Sequence, residues 1–246
     1  MTADSAIKIC DNNHRYSRKM IMMKIFGDSM MMSRRDAMRI GGFALSATVT
    51  LPQLAGLAQA ATPSIPLADL MRPGPLNDLW LGPETAKCTI IEYASLTCSH
   101  CAQFHTETWP KLKEEYVDKG LVRFTLRDFP LDPLATAGSM LARADNGVRY
   151  YPVSNLLFEH QRDWAFVDKP LDALQVMMRQ AGFSQAKFEA TLKDQSLYEA
   201  INTAKDRAYK TFKVDSTPFF FINGAPLPGA LSFADLEKII KPIIGS

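Results

Sequence analysis

The pattern of apolar and polar residues predicts a few short strands far apart in the chain. Residues 89–94 form a short, mostly apolar run that is typical of a buried strand. Residues 121–129 alternate between apolar and polar side chains, which predicts a second strand. Residues 219–222 are apolar at every position and therefore predict a strand that is covered on both faces.

Two stretches between these strands carry a helical spacing. Residues 98–119 predict a helix that is kinked at Pro110, because proline removes a backbone donor. Across residues 133–210 apolar residues recur at intervals of three and four. This spacing predicts about four helices with no strand among them.

The last part of the chain predicts a hairpin and a helix. Asn223-Gly224 is a hairpin signal, with the return strand expected at residues 229–231. Ser232 is a residue type that caps helices, so residues 233–240 predict the final helix.

This order of elements predicts an α/β fold with an inserted helical domain. Residues 88–129 and 211–246 would form the α/β domain, and residues 130–210 the insertion. Residues 61–87 are rich in Pro and Gly and predict an extended arm with little regular structure.

Charge separates the first sixty residues from the rest. Residues 1–60 hold eight Lys and Arg and four Asp, whereas the remainder of the chain holds 20 basic and 22 acidic residues. The net charge of +2 therefore belongs to the leader, and it indicates no nucleic-acid partner.

The leader has the parts of an export signal. Arg34 and Arg35 lie in a charged segment, residues 40–57 are moderately apolar, and residues 58–60 read Ala-Gln-Ala, a cleavage site of the A-x-A type. The arginine pair fits a twin-arginine signal as well as an ordinary Sec signal. The protein would be membrane-anchored only if this signal stayed uncleaved.

The candidate chemistry lies in Cys98-Ser99-His100-Cys101, where the first strand gives way to a helix. A helix N-terminus and the His100 imidazole would favour a thiolate at Cys98. Cys101, one turn further on, would be more buried and would resolve mixed disulfides. This pattern is typical of disulfide exchange.

Two other uses of the cysteine pair remain open from the residues alone. Cys98 and Cys101 could bind zinc together with His100 or His105, although a structural zinc site needs four ligands. They could also form an inert structural disulfide. Cys88 is interpreted as a buried small apolar residue.

Three segments together resemble one family. IIEYASLTCSHC, RDFPLD and STPFFFING are similar to segments of the DsbA-type thiol-disulfide oxidoreductases, which have the thioredoxin fold. The resemblance covers about residues 70–246 and implies a thioredoxin-like domain with a helical insertion.

The resemblance also implies roles for particular residues. Cys98 would be the nucleophile and Cys101 the resolving thiol. Pro218 would be a cis-proline facing them, with the backbone of Thr217 pairing with an extended substrate and Ser99 contacting it. The redox-active Cys98–Cys101 disulfide would be the only redox group, with no cofactor and no metal.

Glu92, six residues before Cys98, falls on a strand that should be buried. The resemblance implies a buried acid that exchanges a proton with Cys101; the alternative is a side chain at a polar edge of the sheet. His105 is expected on the helix surface. His160, Trp109 and Trp164 are expected in packing or surface roles.

The chain departs from the family pattern in two places. Ser99 stands where the best-known oxidases have proline, which restores a backbone N–H at the helix start. Ala144 and Thr191 stand where many relatives have a second cysteine pair, so a second disulfide is not expected.

The implied function is disulfide formation in the periplasm. The substrates would be unfolded or reduced exported polypeptides, and a quinone-linked, DsbB-like membrane partner would reoxidise the protein. A monomer is expected. The alternatives are an isomerase or reductase of the same fold and a periplasmic peptide-binding or metal-binding chaperone.

Overall fold

The computed structural model describes residues 63–245. Its centre is a four-stranded sheet with the order β2-β1-β3-β4. The strands are β1 (Cys88–Ala94), β2 (Val122–Asp128), β3 (Phe219–Ile222) and β4 (Ala225–Pro228). β1 and β2 run parallel, while β3 is antiparallel to both of its neighbours. This mixed sheet, with helices on both faces, confirms the predicted α/β class.

The helices fall largely between β2 and β3. The α-helices are α1 (Leu67–Leu70), α2 (Ser99–Gln103), α3 (Trp109–Leu112), α4 (Pro133–Ala142), α5 (Tyr150–Glu159), α6 (Gln161–Trp164), α7 (Pro170–Gln180), α8 (Gln185–Leu192), α9 (Gln195–Phe212) and α10 (Phe233–Ile244). Six of them, α4 to α9, occupy the stretch where the sequence predicts about four. None of the helices in residues 63–245 is both long and apolar enough to cross a bilayer.

The larger number of helices follows from capping side chains. Ser184 accepts a hydrogen bond from the N–H of Lys187 and begins α8. Asp194 accepts one from the N–H of Leu197 and begins α9. Each cap satisfies backbone donors at the start of a helix, so a continuous apolar pattern is divided into separate helices.

The helix after β1 is wider than an ideal α-helix in two places. Phe104–Thr108 is a π-helical turn between α2 and α3, and Lys113–Val117 is a second one after α3. Pro110, predicted as a kink, lies in the first turn of α3, directly after the first π-helical turn. Proline has no backbone N–H to donate, and the wider π-helical turn before Pro110 tolerates this missing hydrogen bond.

The alternation of β1 sets the two layers of the core. Ile90 and Ala94 face a cluster that includes the helix after β1 and most of the helical block. Ile91 and Tyr93 face a second cluster with Phe212 at the end of α9. Because side chains alternate along a strand, Glu92 lies on the same face as Ile90 and beneath α2.

The predicted return strand at residues 229–231 is wrong, because β4 occupies Ala225–Pro228. Asn223 and Gly224 both have positive φ angles, 47° and 90°, and form a two-residue turn. That turn places Ala225 directly opposite Ile222. The return strand therefore begins immediately after the turn.

The described part of the arm, residues 63–87, has more regular structure than predicted. It contains α1, and Leu81 pairs with Phe124 through two backbone hydrogen bonds of 2.8 Å. The Arg127 guanidinium on β2 donates hydrogen bonds to both carboxylate oxygens of Asp78 in the arm. β2 is an edge strand with open backbone groups, and the arm satisfies part of that edge.

The hairpin turn supports a test of how the arm is attached. A Cβ at Gly224 would lie 2.2 Å from the Ile65 carbonyl oxygen, whereas a Cβ at Gly229 would meet nothing within 4 Å. Both residues have positive φ. Gly229→Ala should therefore lower the free energy of unfolding by about 1 kcal/mol from backbone conformation alone. Gly224→Ala should lower it by about 3 kcal/mol, because the clash adds to that cost.

Urea unfolding of the two variants checks this. Gly229→Ala is the matched control, since it has the same conformational cost without the clash. Equal losses in the two variants would show that Ile65 does not hold the arm against the turn.

Candidate active site

The cysteine pair begins the helix that follows β1. Cys98 has an extended backbone (φ −81°, ψ 119°) and occupies the N-cap position of α2, where no side chain caps the helix. The backbone N–H groups of the first turn are therefore free to interact with the Cys98 sulfur. Cys98 is half-buried, whereas Cys101, one turn further, is fully buried. Both thiols are free in the structure.

The start of β3 faces this pair. The Thr217–Pro218 peptide bond is cis, as predicted. The Cys98 thiol donates to the Thr217 carbonyl oxygen at 3.3 Å. While Cys98 is a thiol, the buried Thr217 hydroxyl has no hydrogen-bond partner among residues 63–245, so it is available to donate to a thiolate at Cys98. The site thus joins two distant segments, since Cys98 and Thr217 are 119 residues apart in the sequence.

The surroundings lower the pKa of Cys98 to about 5. The largest cause is the Cys101 thiol, which donates a hydrogen bond to the Cys98 thiolate. Partial burial opposes this, while the Thr217 hydroxyl and the backbone N–H groups of Cys101 and His100 lower the pKa further. A thiolate is thus the dominant form of reduced Cys98 at neutral pH.

The pKa of Cys101 moves in the opposite direction. Burial raises it well above the usual value, and the neighbouring Cys98 and Glu92 raise it further. One sulfur is therefore a half-buried thiolate and the other a fully buried thiol. This is the arrangement in which an outer sulfur is attacked and an inner sulfur resolves.

Glu92 is fully buried, which agrees with the predicted buried acid and not with a polar edge. Its Oε2 lies 3.0 Å from Nε2 of His105, whose side chain is also fully buried. The prediction that His105 lies on the helix surface is wrong. Positions four apart on a helix share one face, so His105 lies on the buried face that holds Cys101.

The two residues between the cysteines are both exposed. The His100 ring forms no hydrogen bond in the described part of the chain, and it is the backbone N–H of His100 that acts on Cys98. Ser99 is exposed beside a groove of ≈ 540 Å³. Gln103 lines this groove on the α2 side, and Phe158 and Glu159 line the opposite side.

Gln161 is a site residue that the sequence reasoning missed. Its side-chain amide is buried and donates to the carbonyl oxygens of Leu96 at 2.8 Å and Cys98 at 3.0 Å. Thr97 donates to Asp132, which also caps α4. The loop before the cysteine pair is therefore fixed to the helical block from two sides. No local signal in the sequence marks Gln161, since its partners are backbone atoms more than sixty positions away.

The remaining candidates have packing roles. Cys88 is fully buried, and burial raises the pKa of its thiol to about 12, as expected for a thiol that serves as an apolar side chain. Trp109 and Trp164 are buried in the core, while His160 is exposed and contacts Asp163. Within residues 63–245 no group of three or more His, Cys, Asp or Glu could hold a metal ion.

Comparison with known proteins agrees with this geometry. The family model described as Thioredoxin matches residues 76–242. A Rickettsia typhi protein named "Putative protein-disulfide oxidoreductase" is 28% identical over 149 residues, which are 60% of this chain and 55% of that protein. The match thus spans little more than half the length of this curated relative.

Solved structures give the same fold. Wolbachia pipientis alpha-DsbA1 is 29% identical, with a TM-score of 0.66 over 72% of this chain and 95% of that one. A protein described as a protein-disulfide isomerase from Novosphingobium aromaticivorans is 21% identical, with a TM-score of 0.62 over 69% of this chain and 98% of that one. The predicted thioredoxin-like fold is confirmed.

The position of the Thr217 hydroxyl predicts its effect on Cys98. Thr217→Val keeps the size of the side chain and removes the donor, so the thiolate loses a hydrogen bond and the pKa of Cys98 should rise above about 5. The thiolate absorbance at 240 nm, followed against pH in the reduced protein, measures this. Ser216→Ala, which removes an exposed hydroxyl bonded to Asp215, is the control and should leave the titration unchanged.

Proposed function

Because the chain belongs to the thioredoxin family, we propose that it is a DsbA-type thiol-disulfide oxidoreductase that introduces disulfide bonds into exported polypeptides. The observation that carries this proposal is the opposite displacement of two pKa values one helical turn apart, at Cys98 and Cys101. Disulfide exchange needs one sulfur that is a good leaving group and one that resolves the mixed disulfide.

The reaction begins with a substrate thiolate attacking Cys98 of the oxidised protein. A disulfide forms between the substrate and Cys98, the Cys98–Cys101 bond breaks, and Cys101 leaves with the electron pair. A second substrate thiolate then attacks the substrate sulfur of the mixed disulfide. The substrate gains its disulfide and Cys98 leaves as a thiolate. The low pKa of Cys98 favours this departure.

The same pKa supports the oxidising direction. A thiolate that is stabilised in the folded protein stabilises the reduced form relative to the disulfide. The Cys98–Cys101 disulfide is then a stronger oxidant than one between ordinary thiols. The resemblance to DsbA-type proteins supports a quinone-linked, DsbB-like membrane protein as the agent of reoxidation.

The surface around Cys98 supports a polypeptide substrate. The Thr217 backbone lies directly beside Cys98, in position to pair with an extended chain. The groove beside Ser99 and Gln103 continues away from the cysteine pair along Phe158. Specific side-chain pockets are not needed, because main-chain pairing is largely independent of sequence.

The proposed location is the periplasm, where disulfides persist. The export signal predicted in residues 1–60 supports this location, and those residues lie outside the part of the chain that the structure describes. A monomer remains our proposal, since the Pro-rich arm is too short for a convincing oligomerisation module. An isomerase of the same fold is the alternative, and a protein described as an isomerase shares the fold.

The redox potential separates the oxidase from a reductase. Equilibration with glutathione buffers should give a potential well above about −270 mV, the value for thioredoxin, because the Cys98 thiolate stabilises the reduced form. A potential at or below that value would contradict the oxidase direction.

Substitution of the cysteines tests the assignment of the nucleophile. Cys98→Ser should abolish oxidation of a reduced, unfolded model protein, because serine cannot form the mixed disulfide. Cys88→Ala removes a buried thiol outside the site and should retain this activity. Turnover by Cys98→Ser would refute the assignment. Bound zinc at one equivalent, without dithiol activity in the unmodified protein, would favour the metal-binding alternative.

A further inference from the structure

A carboxylate and an imidazole contact each other in the core beneath α2. Oε2 of Glu92 and Nε2 of His105 are 3.0 Å apart, and neither side chain has any exposed area. Glu92 is on β1, with Leu126 beside it on β2 and Phe220 beside it on β3. Because neither side chain is exposed, bulk water does not compete for this hydrogen bond, and the packing of the core sets the orientation of the two groups.

Aromatic rings fix the His105 imidazole. It stacks on Phe158 with ring centroids 4.1 Å apart and planes 12° apart. Phe104 meets it edge-on, and Trp109 lies 6.1 Å away. Nδ1 has no hydrogen-bond partner in residues 63–245. The bond to Glu92 is therefore the polar interaction that this buried ring makes.

The carboxyl group of Glu92 is held at one oxygen and open at the other. Oε2 contacts His105, whereas Oε1 is buried without a hydrogen-bond partner in the described residues. The charge of Glu92 is close enough to Cys101 to raise the pKa of that thiol. A buried carboxylate oxygen without a protein donor is costly, so its presence in the core calls for a functional explanation.

We propose that His105 is a positioning residue that holds Glu92, through the Nε2–Oε2 hydrogen bond, in the orientation and charge state needed to accept a proton from Cys101. The proposal rests on the thiol-disulfide exchange proposed above. With a proton on Nε2, the imidazole donates to Oε2 and leaves Oε1 to take up the transferred proton. His105 acts through Glu92 and does not touch the reacting sulfurs.

The step that depends on this pair is the closing of the disulfide. In a mixed disulfide between Cys98 and a partner thiol, Cys101 transfers its proton to Oε1 of Glu92. The Cys101 thiolate then attacks the Cys98 sulfur, the Cys98–Cys101 bond forms, and the partner leaves as a thiolate with the electron pair. In the reverse step Glu92 returns the proton to Cys101.

Without His105 the carboxyl would have no donor. Burial disfavours a carboxylate that has no partner, so loss of the His105 donor would make Glu92 a poorer acceptor of the Cys101 proton. The titratable groups facing the pair are Cys101 on its own helix and Tyr151 of α5, and burial raises the pKa of Tyr151, which keeps it neutral. The side chains beside Glu92 on β2 and β3 do not titrate.

Oxidation of the reduced protein by excess oxidised glutathione separates the two chemical steps. Samples quenched in acid and analysed by mass report the Cys98–glutathione mixed disulfide and the closed disulfide at each time. His105→Phe keeps a flat ring and loses the donor. It should leave the first phase unchanged and slow the second about tenfold at pH 7, which is less than the roughly 10²–10⁴-fold contribution of a complete acid–base group because Glu92 itself remains.

The pH dependence of the second-phase rate distinguishes the proposal from a packing defect, because a packing defect would not shift its inflection. The inflection of the second phase should shift to higher pH in His105→Phe, because the unpartnered carboxyl keeps its proton longer. His105→Gln retains an amide donor and should restore the second phase to within about twofold. Thr108→Val removes a buried hydroxyl from the same helix, one bonded to Leu231, and is the control with an unchanged profile.

A double substitution tests whether His105 acts through Glu92. Glu92→Gln alone should slow the second phase, and adding His105→Phe should slow it no further, because both substitutions disable the same step. A wild-type second phase and inflection in His105→Phe, or losses that multiply in the double variant, would overturn the proposal.

If His105→Phe does not fold, His105→Met, which also lacks the donor, takes its place in the rate, pH-profile and double-substitution measurements with the same expected outcomes. Failure of the proposed function itself gives a different result. In that case the unmodified protein would form no mixed disulfide at Cys98 in the first phase.

Discussion

The difference between Cys98 and Cys101 depends on where the first turn of α2 meets the protein surface. Cys98 lies at the N-cap, beside free backbone donors, and Cys101 lies in the core one turn further on. A charged sulfur is stabilised at the first position and penalised at the second. One helical turn of about 5.4 Å is thus enough to give two identical side chains opposite acid–base properties.

The rest of the fold keeps this turn in place. β1 delivers the chain to the N-cap, and the start of β3 brings the Thr217 carbonyl to the Cys98 sulfur. Gln161 and Asp132 connect the preceding loop to the helical block. The helical block is therefore part of the active site as well as an insertion, because a shift in its position would move the carbonyl of Cys98.

Burying Glu92 and His105 beneath the active site lowers the stability of the folded protein. Burying Glu92 and His105 is unfavourable unless each satisfies the other, and two of their polar atoms stay without a partner in the described residues. Apolar residues of similar volume would fill this space at lower cost. The retention of a carboxyl next to Cys101 is understandable where a buried thiol must lose and regain a proton in each cycle.

The sequence by itself determined the positions of the first three strands, the hairpin turn, the CxxC pair at a helix start and the place of Glu92 on the first strand. These features depend on local periodicity, on turn residues and on spacing along one strand and one helix. The return strand was misplaced because the two-residue turn pairs residue 225 with residue 222. The surface position expected for His105 was wrong, although its spacing of four from Cys101 already placed it on the buried face.

Only the tertiary structure decided which groups act on the two sulfurs. In the structure the backbone N–H of His100 acts on Cys98, whereas the sequence predicted the His100 imidazole. Glu92 is hydrogen-bonded to His105, and Gln161 donates to the Cys98 carbonyl oxygen. Each of these contacts joins atoms whose relative position depends on packing between elements. A sequence pattern reports which face of an element is buried, but contacts between elements follow from how those faces fit together.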